Sequence, residues 1–331
     1  MLIKNNIYQP MILTIPEDTS LFSILNPSEK ITSKIIMENY VNFFCFKDPA
    51  NNLVYFRFKK RMDYGNIEGI KQSFIPLDVL KKYFDALDTM NQFLLNGYVL
   101  SVPVHKMSID FYGKSEGTHP LFIYGVDTER QILFCKDFGY REFVEFEVSF
   151  EDMKNSLANC EITNLQALKG LLAFRVDEKA AMQIEYAKVY SEFNSLRAEY
   201  TSANAGYGLG AIDLYMNGVI QYPCEVNPIN RWYVLANYLR ESAKLMKMRF
   251  SILEKEICEK QIKKSLDINY LENLISSTDI LFFTILKLQQ KKASSSSEIV
   301  GKLYELTNVC RKGFYVLADH VCEFICNAMP L

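Results

Sequence analysis

HPLFIYGVDTERQILFCKDF, residues 119–138, contains the second of only three histidines in a chain of 331 residues. It reads as two apolar strands around a polar turn, with His119 opening the first strand and Asp137 near the end of the second. With the turn placed at Asp127–Arg130, Tyr124 faces Ile132 and His119 faces Asp137. Directly opposed residues of antiparallel strands have Cβ atoms about 4.5–5.5 Å apart, which permits a hydrogen bond between imidazole and carboxylate. Such a carboxylate fixes the imidazole tautomer and stabilises the imidazolium after proton uptake. The stretch therefore predicts a hairpin carrying the acid and base of a catalytic triad. The plainer reading of the same two residues is a pair of polar groups at a frayed hairpin end.

On either side of the hairpin, YVLSVPVH, REFVEFEVSF and GLLAFRV have the β-branched and aromatic content of strands, as does NLVYFRFKKR earlier in the chain. LFSILNPS and SKIIMENYVNFFCF have mixed periodicity that includes helix. PLDVLKKYFDALDTMNQFLLNG places Leu77, Leu80, Phe84, Leu87, Met90 and Leu94 at helical spacing and stops at Gly97. SFEDMKNSL reads as a capped helix. Beyond about residue 175 the texture changes to long amphipathic stripes, such as Met182, Tyr186, Val189, Phe193, Leu196 and Tyr200. The expectation is an α+β fold in two domains: residues 1–175 built on an antiparallel sheet, and 176–331 all helical. Stripes of this kind usually form the inside of a bundle, and pairing between two copies of the chain is an alternative use for them.

Composition narrows the function. Hydrophobic residues make up 49% of the chain and charged residues 23%, with a net charge of −2. A nucleic-acid partner is not expected, because the basic footprint it requires is missing. No membrane partner is expected either: the apolar run DILFFTILKLQQKK is shorter than the ~20 residues of a span. The first twenty residues are interrupted by Pro10, Pro16, Glu17 and Asp18, unlike a secretory leader. The eight cysteines, at 45, 135, 160, 224, 258, 310, 322 and 326, form no CxxC pair. They read as reduced thiols of a cytoplasmic protein, with no metal or other cofactor.

The hairpin, with NGYVLSVPVHKMSIDFYG ahead of it, resembles the His-to-Asp hairpin of papain-like cysteine peptidases of the bacteriocin-processing type. It is similar in particular to the offshoot of that fold formed by the butirosin biosynthesis protein H family, in which a helical domain follows the papain-like one. The resemblance is clearest over residues 95–150. It implies acyl transfer from a carrier-protein thioester to an amine, with an acyl- or peptidyl-carrier protein and an amine acceptor as partners. It also implies a cysteine nucleophile at the start of a helix near the amino terminus. The corresponding stretch, PEDTSLFSILNPS, has no cysteine, and Ser20 takes the expected place beside Thr19.

Three readings stand at this point. In the first, Ser20 is the nucleophile of a Ser20–His119–Asp137 triad, activated by the adjacent base. In the second, it caps a helix in a fold that binds without reacting, since Ser ahead of an apolar helical run is a favoured N-cap. In the third, Cys45 is the nucleophile. Thr19 and His105 are candidate substrate contacts. Gln9 lies further ahead of Ser20 than the oxyanion-hole glutamine of the family. The glycines of NAGYGLGAIDLY, at 206, 208 and 210, do not have dinucleotide-loop spacing and read as a connection between helices. His320 reads as a residue of the bundle surface. The basic run at Arg57, Lys59, Lys60 and Arg61 reads as a solvated edge strand, with docking of an acidic carrier protein as the alternative.

Overall fold

The computed structural model describes residues 1–13, 16–48, 53–59, 66–139, 142–161, 169–221, 228–262, 266–291 and 296–329. Cys224, Lys60, Arg61 and the first two serines of the run after Ala293 lie outside them. The strands are β1 (Leu2–Lys4), β2 (Phe43–Lys47), β3 (Val54–Phe58), β4 (Ile70–Pro76), β5 (Val99–His105), β6 (Thr118–Asp127), β7 (Ile132–Phe138), β8 (Phe143–Ser149), β9 (Gly170–Val176), β10 (Glu199–Thr201) and β11 (Ala205–Gly208). The helices are α1 (Pro16–Ser23), α2 (Lys30–Glu38), α3 (Leu77–Tyr83), α4 (Ala86–Leu95), α5 (Phe150–Asn159), α6 (Tyr186–Arg197), α7 (Gly210–Gln221), α8 (Pro228–Glu259), α9 (Ile268–Gln290) and α10 (Ser297–Ala328). None of the helices among the described residues is long and apolar enough to cross a membrane. The chain is α+β, with antiparallel sheets and a helical carboxy-terminal half.

It divides into two compact units, Met1–Ile31 with Arg61–Ala181 and Thr32–Lys60 with Met182–Leu331. The last boundary between the units falls at residue 181, where the sequence reading places a break near 175. Residues 32–60, however, belong to the second unit and not the first.

The first unit is built on one antiparallel sheet in the order β4-β9-β5-β6-β7-β8, with β1 added along β6. Leu100, Val102, Leu121, Ile123, Leu133 and Cys135 point to one face and form a core with α3, α4 and α5. The predicted single helix over residues 77–94 is broken in two. Phe84 is extended, and the Asp85 carboxylate accepts from the Asp88 N–H at 3.0 Å to start α4. Ser149 caps α5 as expected, accepting from the Asp152 N–H at 3.0 Å.

The second unit is not all helical. It contains a four-stranded antiparallel sheet in the order β10-β11-β2-β3. One face of this sheet is packed with rings from helices: Phe43 meets Phe314 at 5.5 Å between centroids and Phe58 meets Tyr238 at 5.4 Å. The segment expected to connect two helices is in fact β11 leading into α7. Its glycines make close approaches possible. Gly208 has φ of +59°, and a Cβ there would lie 2.5 Å from both the Ser195 and Ala198 carbonyl oxygens at the end of α6. Gly208→Ala is expected to destabilise the protein by about 2–5 kcal/mol, from left-handed backbone strain and overpacking together. Thermal unfolding tests this, and an unchanged midpoint would contradict it.

The predicted bundle-surface role of His320 also needs adjustment. Its Nε2 accepts the Asp267 N–H at 2.9 Å, so the ring ties α10 to the start of α9.

Candidate functional site: an imidazole held by a buried carboxylate

His119 and Asp137 meet as the sequence predicts, with Nε2 2.8 Å from Oδ2. The register that joins them is different. The turn falls at residues 128–131, so that Asp127 faces Ile132 and Val126 faces Leu133. A bulge at Tyr124 then shifts the ladder, and Phe122 faces Lys136. Continued by one residue, this register sets Asp137 opposite Leu121, and His119 reaches the carboxylate diagonally. Because the offset is two residues, both side chains stay on the same face of the sheet.

The bulge has a structural cause. Up to Ile123, β6 pairs with β5, and from Gly125 to Asp127 it pairs with β1. Tyr124 sits where the strand changes partner. Gly125 is needed at this crossing, because a Cβ there would come within 2.5 Å of the Ile3 carbonyl oxygen.

Asp137 is 2% exposed and His119 is 29% exposed. The carboxylate is satisfied by three donors. Oδ2 accepts from His119 and from the Tyr112 hydroxyl, and Oδ1 accepts from the Phe138 N–H at 2.7 Å. Burial, and then the negative charge of Asp137, push the Tyr112 phenol far above its ordinary value, so it remains a donor. With Nε2 committed to the carboxylate, Nδ1 is the ring nitrogen left to exchange a proton with a ligand. The pair has the chemistry of a general base with its orienting acid.

The other predicted site residues are placed differently. Ser20 is the fifth residue of α1, whose first residue is Pro16, so it is neither the first residue of the helix nor its N-cap. It is 3% exposed, and Thr19 beside it is fully buried. The partner of His119 Nε2 is Asp137. Helix α1, which carries Ser20, packs against β6, the strand that carries His119.

His105 pairs with Thr118 in the strand ladder, one position on from the Val104–His119 pair, and so faces the opposite side of the sheet. Its Nδ1 lies 3.1 Å from the Ser108 hydroxyl, and its carbonyl accepts from Ser156. It is not a second base beside Asp137.

Cys45 belongs to the second unit and is fully buried in β2 between Phe56 and Gly206. Burial pushes its thiol up to about 12, which leaves no thiolate at neutral pH. Cys135, next to Asp137 on the same face, is likewise fully buried with its thiol raised well above the ordinary value by burial and then by the Asp137 charge. The seven described cysteines are all free.

Tyr112 is the site residue that sequence reasoning missed. It belongs to a single 3-10 turn at Asp110–Tyr112, too short to show periodicity. The sequence signal was the DFYG tetrapeptide, whose Gly113 takes φ of +59°.

No protein-family model matches the chain, and no curated protein matches it.

Proposed function

We propose that the first unit is a papain-like domain that transfers an acyl group from a carrier-protein thioester to an amine, with His119 as general base and Asp137 as its orienting acid. The observation that carries this reading is the 2.8 Å contact between His119 Nε2 and the buried Asp137 carboxylate. The hairpin that makes this contact is also the stretch on which the resemblance rests.

The burial of Ser20 favours direct attack over an acyl-enzyme. The amine nitrogen attacks the thioester carbonyl as His119 Nδ1 takes its proton, so that a C–N bond forms. The C–S bond then breaks, and the departing thiolate recovers the proton from the imidazolium. Asp137 stabilises the ring while it is charged. A second reading, a papain-like fold that binds a carrier protein without chemistry, is favoured by the same burial of Ser20 and Thr19.

Mass spectrometry with an acyl-loaded carrier protein and a primary amine separates these readings. The protein and its Ser20→Ala variant are expected to release amide with no acyl adduct, and His119→Ala is expected to release none. An adduct that disappears with Ser20→Ala would establish the covalent route through Ser20. Carrier binding without amide from any variant would establish the non-catalytic reading.

A further inference from the structure

We propose that Tyr112 is a positioning residue that fixes the Asp137 carboxylate and, through it, the tautomer and orientation of the His119 ring. The inference rests on His119 being the base of the proposed reaction, but its main test needs no turnover.

The geometry supplies two separate constraints. The first acts on the carboxylate. Oδ1 is held by the Phe138 N–H and Oδ2 by the Tyr112 hydroxyl, so the plane of the group is pinned at both ends before His119 is considered. Tyr112 and His119 donate to the same oxygen, so the hydroxyl also draws off part of the charge that the imidazole would otherwise receive alone.

The second constraint acts on the imidazole. The Tyr112 ring meets it edge to face, with centroids 5.6 Å apart and planes at 66°. A ring flip of His119, which would turn Nδ1 toward the acid, must displace that wall.

Tyr112 is itself held by its neighbour. Phe111 stacks on Phe146 with centroids 3.9 Å apart and planes at 3°, and Phe146 pairs with Cys135 on β7. The turn that carries Tyr112 is thereby anchored to the strand that carries Asp137.

The hydroxyl and the ring can be separated by substitution. Tyr112→Phe keeps the wall and removes the donor, whereas Tyr112→Ala removes both. The experiment is NMR of the full chain with 15N-labelled histidine, in which His105 and His320 provide internal controls for folding. In the unaltered protein His119 is expected to show a water-protected Nε2–H proton in the hydrogen-bonded range. In Tyr112→Phe that resonance is expected to move downfield, because Oδ2 then serves His119 alone. In Tyr112→Ala it is expected to be lost to exchange with water, with both tautomers populated.

Absence of a protected Nε2–H in the unaltered protein would overturn the proposal. So would an unmoved resonance in Tyr112→Phe, or an unchanged signal in Tyr112→Ala, while the two control histidines stay in place. Acyl transfer is followed in parallel, and kcat of Tyr112→Phe is expected to fall about tenfold or more with KM unchanged, as for a modest misplacement of the base. If no variant transfers acyl groups but the NMR changes occur, the functional reading fails and the positioning role stands.

Discussion

Asp137→Asn is expected to lower the kcat of acyl transfer by about 10³–10⁴-fold, with little change in KM. The reason lies in the donor count. Asp137 takes three donors on two oxygens: the Phe138 N–H on Oδ1, and Tyr112 and His119 on Oδ2. An asparagine has one oxygen and one NH2. If its oxygen replaces Oδ2, the NH2 is set against the Phe138 N–H. If its oxygen replaces Oδ1, the NH2 faces His119 Nε2, the ring must accept there, and its proton moves to Nδ1. The lone pair that would deprotonate the amine is then gone. His119→Ala removes the base itself and is expected to cost about 10²–10⁴-fold. The double variant is expected to be no worse than the poorer single one, because the two side chains act as a unit. Steady-state amide release measures all three, and an Asp137→Asn enzyme that keeps more than a tenth of its rate would remove the dyad from the chemistry.

The dyad was legible because everything that defines it is local. Two apolar runs, a polar turn and a residue at each end lie within twenty positions, and alternation puts both ends on one face. The exact register was not legible. It depends on β1, more than a hundred residues earlier, taking over as the partner of β6 at Gly125. The bulge this creates shifted the pairing, yet the contact survived, because a diagonal neighbour two residues away remains on the same face. Ser20 shows the opposite case. A serine before an apolar run looks like a cap or an exposed nucleophile, but the helix begins four residues earlier, at Pro16. Proline suits the first turn of a helix, where its missing N–H has no intrahelical partner to lose.

In the second unit the helices were read from their stripes and β3 from NLVYFRFKKR, but β10, β11 and the pairing that makes the sheet were not. β2 and β11 are paired although more than 150 residues separate them, as in Cys45 with Gly206. Glycine has poor strand propensity, so AGYG carries no strand signal. It lies in the sheet because a side chain at Gly206 would strike the first turn of α7, where the Gly210 carbonyl would be 2.8 Å from its Cβ. Long-range pairing of this kind leaves almost nothing for a local pattern to detect.

Arg249→Ala is expected to destabilise the protein by about 3–5 kcal/mol, the range for removing one partner of a buried charged interaction. In the stretch KLMKMRFSIL it looks like one of several basic residues on an amphipathic helix, yet it is completely buried. Its Nε donates to the Ile36 carbonyl at 2.9 Å and its Nη2 to the Asn39 carbonyl at 2.7 Å. These carbonyls lie at the end of α2, where helical partners run out and the macrodipole favours a cation. Burial lowers the guanidinium to about 9, so the charge remains at neutral pH. Burial thus makes the proton less tightly held than in the unfolded chain, and the guanidinium stays charged in both states at the pH of the measurement. Alanine leaves both carbonyls buried without their donor and opens a cavity as well. Methionine keeps most of the volume and removes the desolvated charge, so Arg249→Met is expected to lose less than Arg249→Ala. Urea unfolding of the three proteins at pH 7 measures the order. An alanine variant as stable as the unaltered chain would mean that water replaces the guanidinium at the end of α2, and that the buried charge contributes no net stability.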